Sequence, residues 1–504
     1  MNRIRQSQVE RAQAALSEFR KTELDQLLAR HLTTDLANHW VEFLKGVIRD
    51  VPAYRKFLHE SGIDPLAVRT VAAFERLPAT TKLNYHRAYP LPELCRNGEL
   101  ESCDFVAVSS GSTGEPALWP RFVSDEFGTA ARFEQVLRDG FRAHERRTLG
   151  VVCFALGSWV GGMYTTAACR HVASKGYPLT LVTPGSNKTE ILRVVRALGP
   201  LFEQVVLFGY PPFLKDVIDA GRSEGLDWAS FQPGIVTAGE VFSEEWRSLV
   251  CGRLGGIDPL CRTASLYGTA DGGVLANETP LSIRIRRFLA EHPPAMRELF
   301  GEARLPTLCQ YDPLHRYFEC DAGQLLFSGD GGAPLVRYKI LDHGGLLLYR
   351  ELLSFLGDHG YDPVQGFAER VGAPARELPF VYVFGRSNFA LSFYGANIYP
   401  ENVAIGLERP EIAEFVTGKF VMQIVNTEDQ DSELQIFVEL AASASPGEDL
   451  ARKVSSSIRS ELERVNSEFL NYAPPERRTP KVELLPLANP EYFPAGVKHR
   501  YTRP

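Results

Sequence analysis

A run of small hydroxyl residues and glycines, 109–116, has the composition needed to hold a phosphate group. Its sequence is Ser-Ser-Gly-Ser-Thr-Gly-Glu-Pro, and it directly follows the strand-like run 105–108. Glycines let a phosphate approach the main chain, and hydroxyls can donate hydrogen bonds to its oxygens. Because the Gly-Lys-Ser/Thr ending is missing, this is not a Walker A loop. We predict a phosphate loop of another kind, with an ordinary Gly/Ser surface turn as the alternative. The predicted phosphate contacts are Ser109, Ser110, Gly111, Ser112, Thr113 and Gly114.

Bulk composition narrows the classes of protein to consider. A chain of 504 residues is too long for one compact core, so at least two domains are expected. The 44% hydrophobic and 23% charged contents are typical of globular proteins. The net charge of −7 gives no electrostatic reason to expect nucleic acid or an anionic membrane as a partner. No apolar run approaches the roughly 20 residues of a membrane span, and the polar, helix-patterned residues 1–30 lack a signal-peptide core.

The eight cysteines contain no Cys-x-x-Cys pair, which suits reduced thiols in a cytoplasmic protein. Cys309, His315 and Cys320 come nearest to a metal cluster, but their spacing matches no common zinc module. Free cysteine is also a frequent core residue. Whether these three residues bind a metal stays open.

The pattern of apolar residues predicts an α/β protein with helices packed on sheets. Residues 1–75 form a helical segment, and strands alternate with helices from about residue 104. Helices are expected at 9–30, 36–49, 54–60, 188–198, 213–220 and 244–251. Strands are expected at 149–156, 204–208, 234–237 and 263–267. A second sheet is expected from 324–328, 335–340 and 346–349.

The texture of the sequence changes after 381–386. Short amphipathic strands, one long helix and a final strand follow, at 420–425, 434–439, 448–469 and 482–485. We therefore predict a large N-terminal domain, 1–386, and a small C-terminal α+β domain, 387–504. The helical, basic stretch 279–323 carries Arg284, Arg286 and Arg287 and is expected to be a solvated insertion.

A series of short motifs in this order resembles the adenylate-forming superfamily, and within it the phenylacetate–CoA ligase-like branch. Each motif is weak alone, and the specificity lies in the whole series, which covers nearly the entire chain. The motifs are Val51-Pro52-Ala53-Tyr54-Arg55, Leu77-Pro78-Ala79-Thr80-Thr81-Lys82, the loop 109–114, Thr237-Ala238-Gly239-Glu240, Tyr267-Gly268-Thr269-Ala270-Asp271, Pro334-Leu335-Val336-Arg337-Tyr338 with Asp342, Gly385-Arg386-Ser387, Gly395-Ala396-Asn397-Ile398-Tyr399-Pro400 and Gly496-Val497-Lys498-His499-Arg500.

The resemblance implies an AMP-forming carboxylate ligase with a mobile C-terminal domain. A carboxylate oxygen would attack the α-phosphate of ATP to give an acyl-adenylate and pyrophosphate, and the acyl group would pass to CoA. Charge builds on the phosphates, so the site needs hydrogen-bond donors, Mg2+ and a cation. An amine, a hydroxyl or a carrier-protein thiol is an alternative acceptor. A non-catalytic nucleotide- or acyl-binding relative, or a structural scaffold that binds no ATP, are alternatives of another class.

For the nucleotide, the resemblance assigns a role to each motif. The loop 109–114 would hold the β- and γ-phosphates, Asp271 would bind Mg2+, and Asp342 would accept hydrogen bonds from the ribose hydroxyls. Tyr267 would lie against the adenine. A core tyrosine and a solvated turn carboxylate are the alternatives for Tyr267 and Asp342. The remaining nucleotide-binding residues would be Ala238, Gly239, Glu240, Gly268 and Thr269.

Two basic residues in the C-terminal part complete the implied catalytic set. Lys498 would bring a positive charge to the carboxylate and the α-phosphate during adenylation, although a lysine so near the C-terminus is usually just solvent-exposed. Arg386 would touch ribose or phosphate, or else form a salt bridge across the hinge.

The acid pocket is expected from two segments rich in aromatic residues and glycine. Aromatic rings beside glycines make a flat apolar slot, which suits a ring-bearing acid, although such residues also occur in ordinary cores. The predicted acid-binding residues are Trp159, Gly161, Gly162, Tyr164, Tyr210 and Pro211.

Two departures from the family pattern affect these expectations. Glu115 stands where lysine is common, and Arg121 is a candidate substitute for that cation. Asn388 and Phe389 replace an acidic pair at the expected hinge, which weakens the inference that CoA is the acceptor.

Overall fold

The computed structural model describes residues 3–108, 117–157, 160–239, 241–386, 391–393, 396–426, 432–466, 469–470, 473, 475–494 and 499–502. For 3–8, 102, 212, 386, 392, 396–397, 426 and 432, only the backbone is described.

Helices and strands follow one another along the described chain. The helices are α1 (Arg3–Lys21), α2 (Leu24–Ala29), α3 (Leu36–Asp50), α4 (Pro52–Glu60), α5 (Val71–Phe74), α6 (Val123–Gln135), α7 (Val160–Ser174), α8 (Lys188–Leu198), α9 (Pro211–Ser223), α10 (Glu244–Arg253), α11 (Pro259–Arg262), α12 (Pro280–Glu291), α13 (Pro293–Phe300), α14 (Tyr349–Asp358), α15 (Phe367–Val371), α16 (Pro400–Leu407), α17 (Pro410–Ala413) and α18 (Glu448–Val465). The strands are β1 (Phe105–Val108), β2 (Leu118–Arg121), β3 (Thr148–Val152), β4 (Leu179–Val182), β5 (Gln204–Gly209), β6 (Gly234–Ala238), β7 (Thr263–Thr269), β8 (Gly273–Asn277), β9 (Thr307–Gln310), β10 (Tyr317–Asp321), β11 (Gln324–Gly329), β12 (Leu335–Leu347), β13 (Phe380–Arg386), β14 (Leu391–Phe393), β15 (Ala396–Ile398), β16 (Val416–Asn426), β17 (Ser432–Leu440) and β18 (Lys481–Leu485).

The α/β fold class is confirmed, with one large sheet at its centre. Its eleven strands have the order β10-β11-β12-β13-β9-β8-β7-β6-β5-β3-β4. Strands β4, β3, β5, β6 and β7 pair in parallel, and the strands from β7 to β10 pair antiparallel. The prediction of a separate second sheet is therefore wrong. Strands β8 and β9 are linked by a single residue pair, Asn277↔Gln310, and the expected strand at 346–349 overlaps the end of β12, with Tyr349 beginning α14.

Helices cover both faces of the parallel half of the sheet. In β5, Val206 and Phe208 pack into one core with α6 and α7, while Val205 and Leu207 pack into the opposite core with α8, α9 and α10. Successive strand residues point to opposite faces, so a strand covered on both faces is apolar throughout. This rigid centre positions the loops at the strand ends.

The expectation of a solvated insertion at 279–323 is wrong. Arg286 is only 2% exposed, and its guanidinium pairs with the buried Glu244. Arg247 also pairs with Glu244, and it binds the buried Glu278 as well. The same stretch supplies β9, in the interior of the sheet. Mutual pairing of these charges is what allows so basic a segment to be buried.

The described residues after 390 have a core of their own. It gathers apolar side chains of β16, β17, α16 and α18, and β16, β17 and β18 form a three-stranded sheet. The predicted helix 448–469 ends at Val465. Residues 387–390 lie outside the described part of the chain, so the domain boundary stays a prediction. Among the described helices, none is both long and apolar enough to cross a bilayer.

Candidate functional site

The carboxyl ends of β3, β5, β6 and β7 lie along one edge of the sheet, because these strands are parallel. The segments that follow them contain Phe154, Tyr210, Gly239 and Asp271. In open α/β sheets, ligands bind outside the carboxyl ends of the strands. The predicted acid and nucleotide segments are therefore brought to one place.

Tyr267 and Asp342 meet across this edge. The Tyr267 hydroxyl donates to Asp342 Oδ2 at 2.8 Å, and the Asp342 residue is buried. Asp342 lies in β12 opposite Arg386 of β13, and the preceding Leu341 has a left-handed φ of +65°. Asp342 is thus not a solvated turn carboxylate. The predicted ribose and adenine contacts remain predictions, but their two residues touch.

Asp271 is buried at the tip of the turn between β7 and β8. It is 8% exposed, and its Oδ2 accepts a hydrogen bond of 2.7 Å from the Tyr338 hydroxyl. The turn depends on Thr269, whose hydroxyl accepts from the Gly272 amide. A Cβ at Gly268 would lie 2.6 Å from the Gly273 carbonyl oxygen, so only glycine fits there. The turn thereby fixes where the carboxylate points.

Lys82 is a candidate functional residue that we did not predict. Its Nζ lies 3.9 Å from Asp271 Oδ1 and 5.8 Å from the centre of the Trp119 ring. The preceding Thr80 exchanges backbone hydrogen bonds with Arg337 and Lys339 beside β12. The sequence signal for this residue is its place at the end of the motif 77–82, a motif that supports the family resemblance but assigns no role to the lysine.

Arg121, the candidate substitute for the missing loop cation, is hydrogen-bonded at the β7–β8 turn. One of its terminal nitrogens donates to the carbonyl oxygens of Ala270 (2.7 Å) and Asp271 (2.6 Å), and the residue is buried. Its charge therefore supports the turn that carries Asp271. Lys82 is the cation that reaches the carboxylate itself.

Tyr210 lies between the acid-side and nucleotide-side segments. A Cβ at Gly161 would lie 3.6 Å from the Tyr210 hydroxyl, and one at Gly239 only 2.8 Å from its ring. Gly239 also has a left-handed φ of +84°, which favours glycine. The Phe154 ring packs edge-on against Tyr210, with centroids 5.0 Å apart. Tyr210 thus packs against the main chain of both glycine segments and against the Phe154 ring. The neighbouring Gly162 is tighter still, because a Cβ there would meet the Ala155 carbonyl oxygen at 2.4 Å.

Tyr164 lines a small cavity that Asp271, Arg121, Asp125 and Arg316 also line. Its predicted role in the acid pocket stays a prediction. Its hydroxyl has no hydrogen-bond partner among the described residues. Burial raises the pKa of the Tyr164 hydroxyl and also that of the Asp125 carboxyl.

Several predicted residues lie outside the described residues. These are the loop 109–114, Trp159, Glu240, Lys498 and the side chain of Arg386. Strands β1 and β2, which flank the loop, form an antiparallel hairpin, and β2 contains both Trp119 and Arg121. Ala238 ends β6, and Pro211 begins α9. Their roles remain predictions.

Cys309, His315 and Cys320 do not converge. Within the described part of the chain, no three His, Cys, Asp or Glu side chains are arranged to hold a metal. Cys309 is buried and His315 half-buried, whereas Cys320 is exposed and its thiol donates to the Gly344 carbonyl oxygen.

The chain is similar in sequence to two known ligases. No protein-family model matches the chain. It is 24% identical over 373 residues to a phenylacetate–coenzyme A ligase of Thermus thermophilus, and the alignment spans 73% of each protein. It is 25% identical over 271 residues to a phenylacetate–coenzyme A ligase of Aromatoleum evansii, spanning 52% of this chain and 56% of that one.

Solved structures show the same architecture. A crystal structure of 2-hydroxyisobutyryl-CoA ligase in the postadenylation state matches with a TM-score of 0.64 at 15% identity, covering 98% of this chain and 90% of that one. The same ligase with 2-HIB-AMP and CoA in the thioesterification state gives 0.51 at 16% identity, with the same coverage. The chain thus has the fold of the adenylate-forming ligases. Within that class, its sequence resembles the phenylacetate–CoA ligases, which confirms the predicted resemblance.

Proposed function

We propose that this chain is an AMP-forming carboxylate ligase, which activates a carboxylic acid with ATP and transfers the acyl group to CoA. One observation carries the proposal: the Tyr267–Asp342 pair, the Asp271–Tyr338–Lys82 cluster and Tyr210 lie around one edge of the sheet. Two carboxylates, a cation and an apolar surface for the acid are groups that suit adenylate formation.

Each group has a role in the first half-reaction. Asp342, held by Tyr267, is positioned to accept hydrogen bonds from ribose hydroxyls. Lys82 supplies positive charge where the phosphates approach, in place of the lysine that the loop lacks at Glu115. Lys498 is proposed to bring the second positive charge to the attacking carboxylate and the α-phosphate. Arg386 of β13 is the backbone pairing partner of Asp342 in β12, and we propose that it contacts ribose or phosphate.

The described residues fit a bound magnesium ion. Mg2+ prefers one or two protein carboxylates together with substrate phosphates, and Asp271 offers one buried carboxylate beside the hairpin that flanks the loop 109–116. When bound, the ion neutralises charge on the phosphates and on the leaving pyrophosphate. Tyr338 orients the carboxylate by donating to one of its oxygens.

We propose an aromatic carboxylic acid as the substrate. The support is the aromatic surface that Tyr210 and Phe154 form where the Gly161 and Gly239 segments meet at the edge of the sheet. Trp159, Gly162 and Pro211 are proposed to complete the slot.

The acceptor is proposed to be CoA, because both curated relatives bear the name of a CoA ligase. An amine, a hydroxyl or a carrier-protein thiol is the second candidate, favoured by the change at Asn388 and Phe389. The scattered cysteines support a location in a reducing compartment, the cytoplasm.

ATP–pyrophosphate exchange tests the proposal. The purified protein is assayed with Mg2+ and a panel of phenylacetic, benzoic, hydroxylated aliphatic and fatty acids. We expect acid-dependent exchange that is strongest with an aromatic acid, and an acyl-CoA product when CoA is added. Exchange without acyl-CoA would identify a different acceptor. Nucleotide binding without exchange for any acid would identify a non-catalytic relative.

A further inference from the structure

A bulge in β16 faces helix α9. Between the pairs Val416↔Leu440 and Phe420↔Val438, β16 advances by four residues while β17 advances by two. Gly418, within the bulge, has a left-handed φ of +89°. Bulges of this kind redirect side chains and release carbonyl groups from the ladder.

Two lysines form hydrogen bonds between the bulge and α9. Lys215 of α9 is almost fully buried, and its Nζ donates to the Val416 carbonyl oxygen at 3.0 Å and to Asp219 at 3.2 Å. Lys419, in the bulge, donates in the opposite direction to Asp216 of α9 at 2.5 Å. Each lysine therefore crosses from one part of the chain to the other.

Further polar contacts surround this pair of lysines. Arg253 donates to the Ala413 carbonyl oxygen at 2.9 Å and pairs with Asp219. Ser243, at the N-terminus of α10, donates to the buried Glu408. Buried charges are costly unless they are paired, so this arrangement is specific to one docking of β16 on α9.

Residues 499 and 501, near the C-terminus, are hydrogen-bonded to the same strand, β16. His499, which follows Lys498, bonds through Nε2 to the Phe420 carbonyl oxygen at 2.6 Å. The Met422 amide donates to the Tyr501 carbonyl oxygen at 2.7 Å. Burial lowers the pKa of His499 to about 4, so its ring is neutral near pH 7 and serves as a fixed hydrogen-bond donor.

Helix α9 connects this junction to the candidate acid site. Pro211 and Asp216 are five residues apart, which corresponds to roughly 7.5 Å along a helix. Asp216 thus binds Lys419 about one and a half turns from the start of α9, and the neighbouring Phe420 binds His499, the residue after Lys498.

We propose that the Lys419–Asp216 pair, with Lys215, is a positioning site that fixes the C-terminal tail for adenylation. The inference rests on the proposed function, because it concerns the lysine proposed to act in that half-reaction. These residues touch no substrate. They act through the placement of β16 and of the tail hydrogen-bonded to it.

The test compares Asp216→Asn with Glu134→Gln. Glu134 is a matched control, because it is equally buried and pairs with Lys175 at 2.9 Å, but it lies within the N-terminal part. Both variants are measured for ATP–pyrophosphate exchange and for thioester formation from a supplied acyl-adenylate and CoA. Hydrogen–deuterium exchange of 211–223 and 416–426 is followed without any ligand.

We expect Asp216→Asn to lower adenylation by roughly ten- to a hundredfold, the scale of a small misplacement of a reacting group. Thioester formation should stay within about twofold, amide exchange in both segments should quicken, and Asp216→Glu should restore part of the loss. Glu134→Gln should change neither amide exchange in these segments nor the ratio of the two steps. Lys419→Met, at a less buried position, should repeat the result if Asp216→Asn folds poorly.

Equal losses in both steps, or unchanged amide exchange in both segments, would overturn the positioning role. So would full pyrophosphate exchange in both Asp216→Asn and Lys419→Met. If the wild-type protein shows no pyrophosphate exchange with any acid of the panel, the proposed function is overturned, and this inference with it. If the wild type and the variants Asp216→Asn and Lys419→Met all keep full acid-dependent pyrophosphate exchange, only this inference is overturned.

Discussion

Lys82 offers the sharpest test of the candidate site, since it was found from geometry and its charge can be removed almost without changing its shape. Lys82→Met keeps the methylene groups near Trp119 and removes the ammonium that lies 3.9 Å from Asp271 Oδ1. We expect the variant to fold and to lose activity in the adenylation step.

The size of the loss follows from Coulomb's law. A phosphate oxygen that comes as close as the Asp271 carboxylate would gain about 4 kcal/mol per unit charge at an effective dielectric constant of about 20. The Lys82 side chain is 28% exposed, so water screens part of this. About half the value, or about 2 kcal/mol, corresponds to roughly a 30-fold slower reaction.

ATP–pyrophosphate exchange under saturating acid is the assay, with Lys82→Arg and Lys45→Met as companions. Lys82→Arg keeps the charge and should retain a large part of the activity. Lys45 pairs with Glu42 on the surface and should be silent. Exchange by Lys82→Met above half the wild-type rate would refute the argument that Lys82 replaces the loop cation.

Three further predictions address other groups. Lys498→Ala should lower adenylation by on the order of 10²–10³-fold with ATP affinity nearly unchanged, and pyrophosphate exchange that stays above half the wild-type rate would assign this role elsewhere. Asp342→Ala should weaken binding of a non-hydrolysable ATP analogue by roughly ten- to a hundredfold in calorimetry, whereas Tyr267→Phe should cost less; equal affinities for wild type and Asp342→Ala would contradict the ribose assignment. Burial raises the pKa of Glu408 to about 7, above its ordinary value near 4.5, so its contribution to stability is present below about pH 4.5 and lost as pH rises through 7. Glu408→Gln, which can still bond Ser243, should therefore have an unfolding free energy close to that of the wild type at pH 5 and higher than it at pH 8, by up to about 3 kcal/mol; a difference that does not change with pH would contradict the assignment.

Local elements were predictable where pattern and capping agree. The helix at 188–198 was predicted at its observed bounds, because Asn187 caps it and its apolar residues recur at helical spacing. The motif residues Tyr267 and Asp342 were chosen separately and are found hydrogen-bonded to each other. Two residues that were selected from the sequence alone are therefore in direct contact in the structure.

What was missed depends on pairing across the fold. The single residue pair that links β8 to β9 includes Gln310. Its side chain donates to the carbonyl oxygens of Arg376 and Leu378, and no local sequence pattern indicates these contacts. The charges of 279–323 suggested solvent exposure, because the partners of Arg286 lie elsewhere in the sequence. Arg121 was assigned by its nearness to the loop, but its hydrogen bonds lie at the β7–β8 turn. Contacts between distant residues decided each case.

The candidate nucleotide site takes Lys82, Asp271 and Tyr338 from distant parts of the chain, which has a consequence for folding. Thr80 bonds the Val336 carbonyl oxygen across a sequence separation of 256. Contacts of such separation carry a closure cost and form late in folding, so the site is complete only when the large sheet is. Nucleotide then binds the folded state alone, and a concentration of 100 Kd adds about 2.7 kcal/mol to stability. The supply of substrate would thereby govern how long each molecule stays folded, as well as how fast it works.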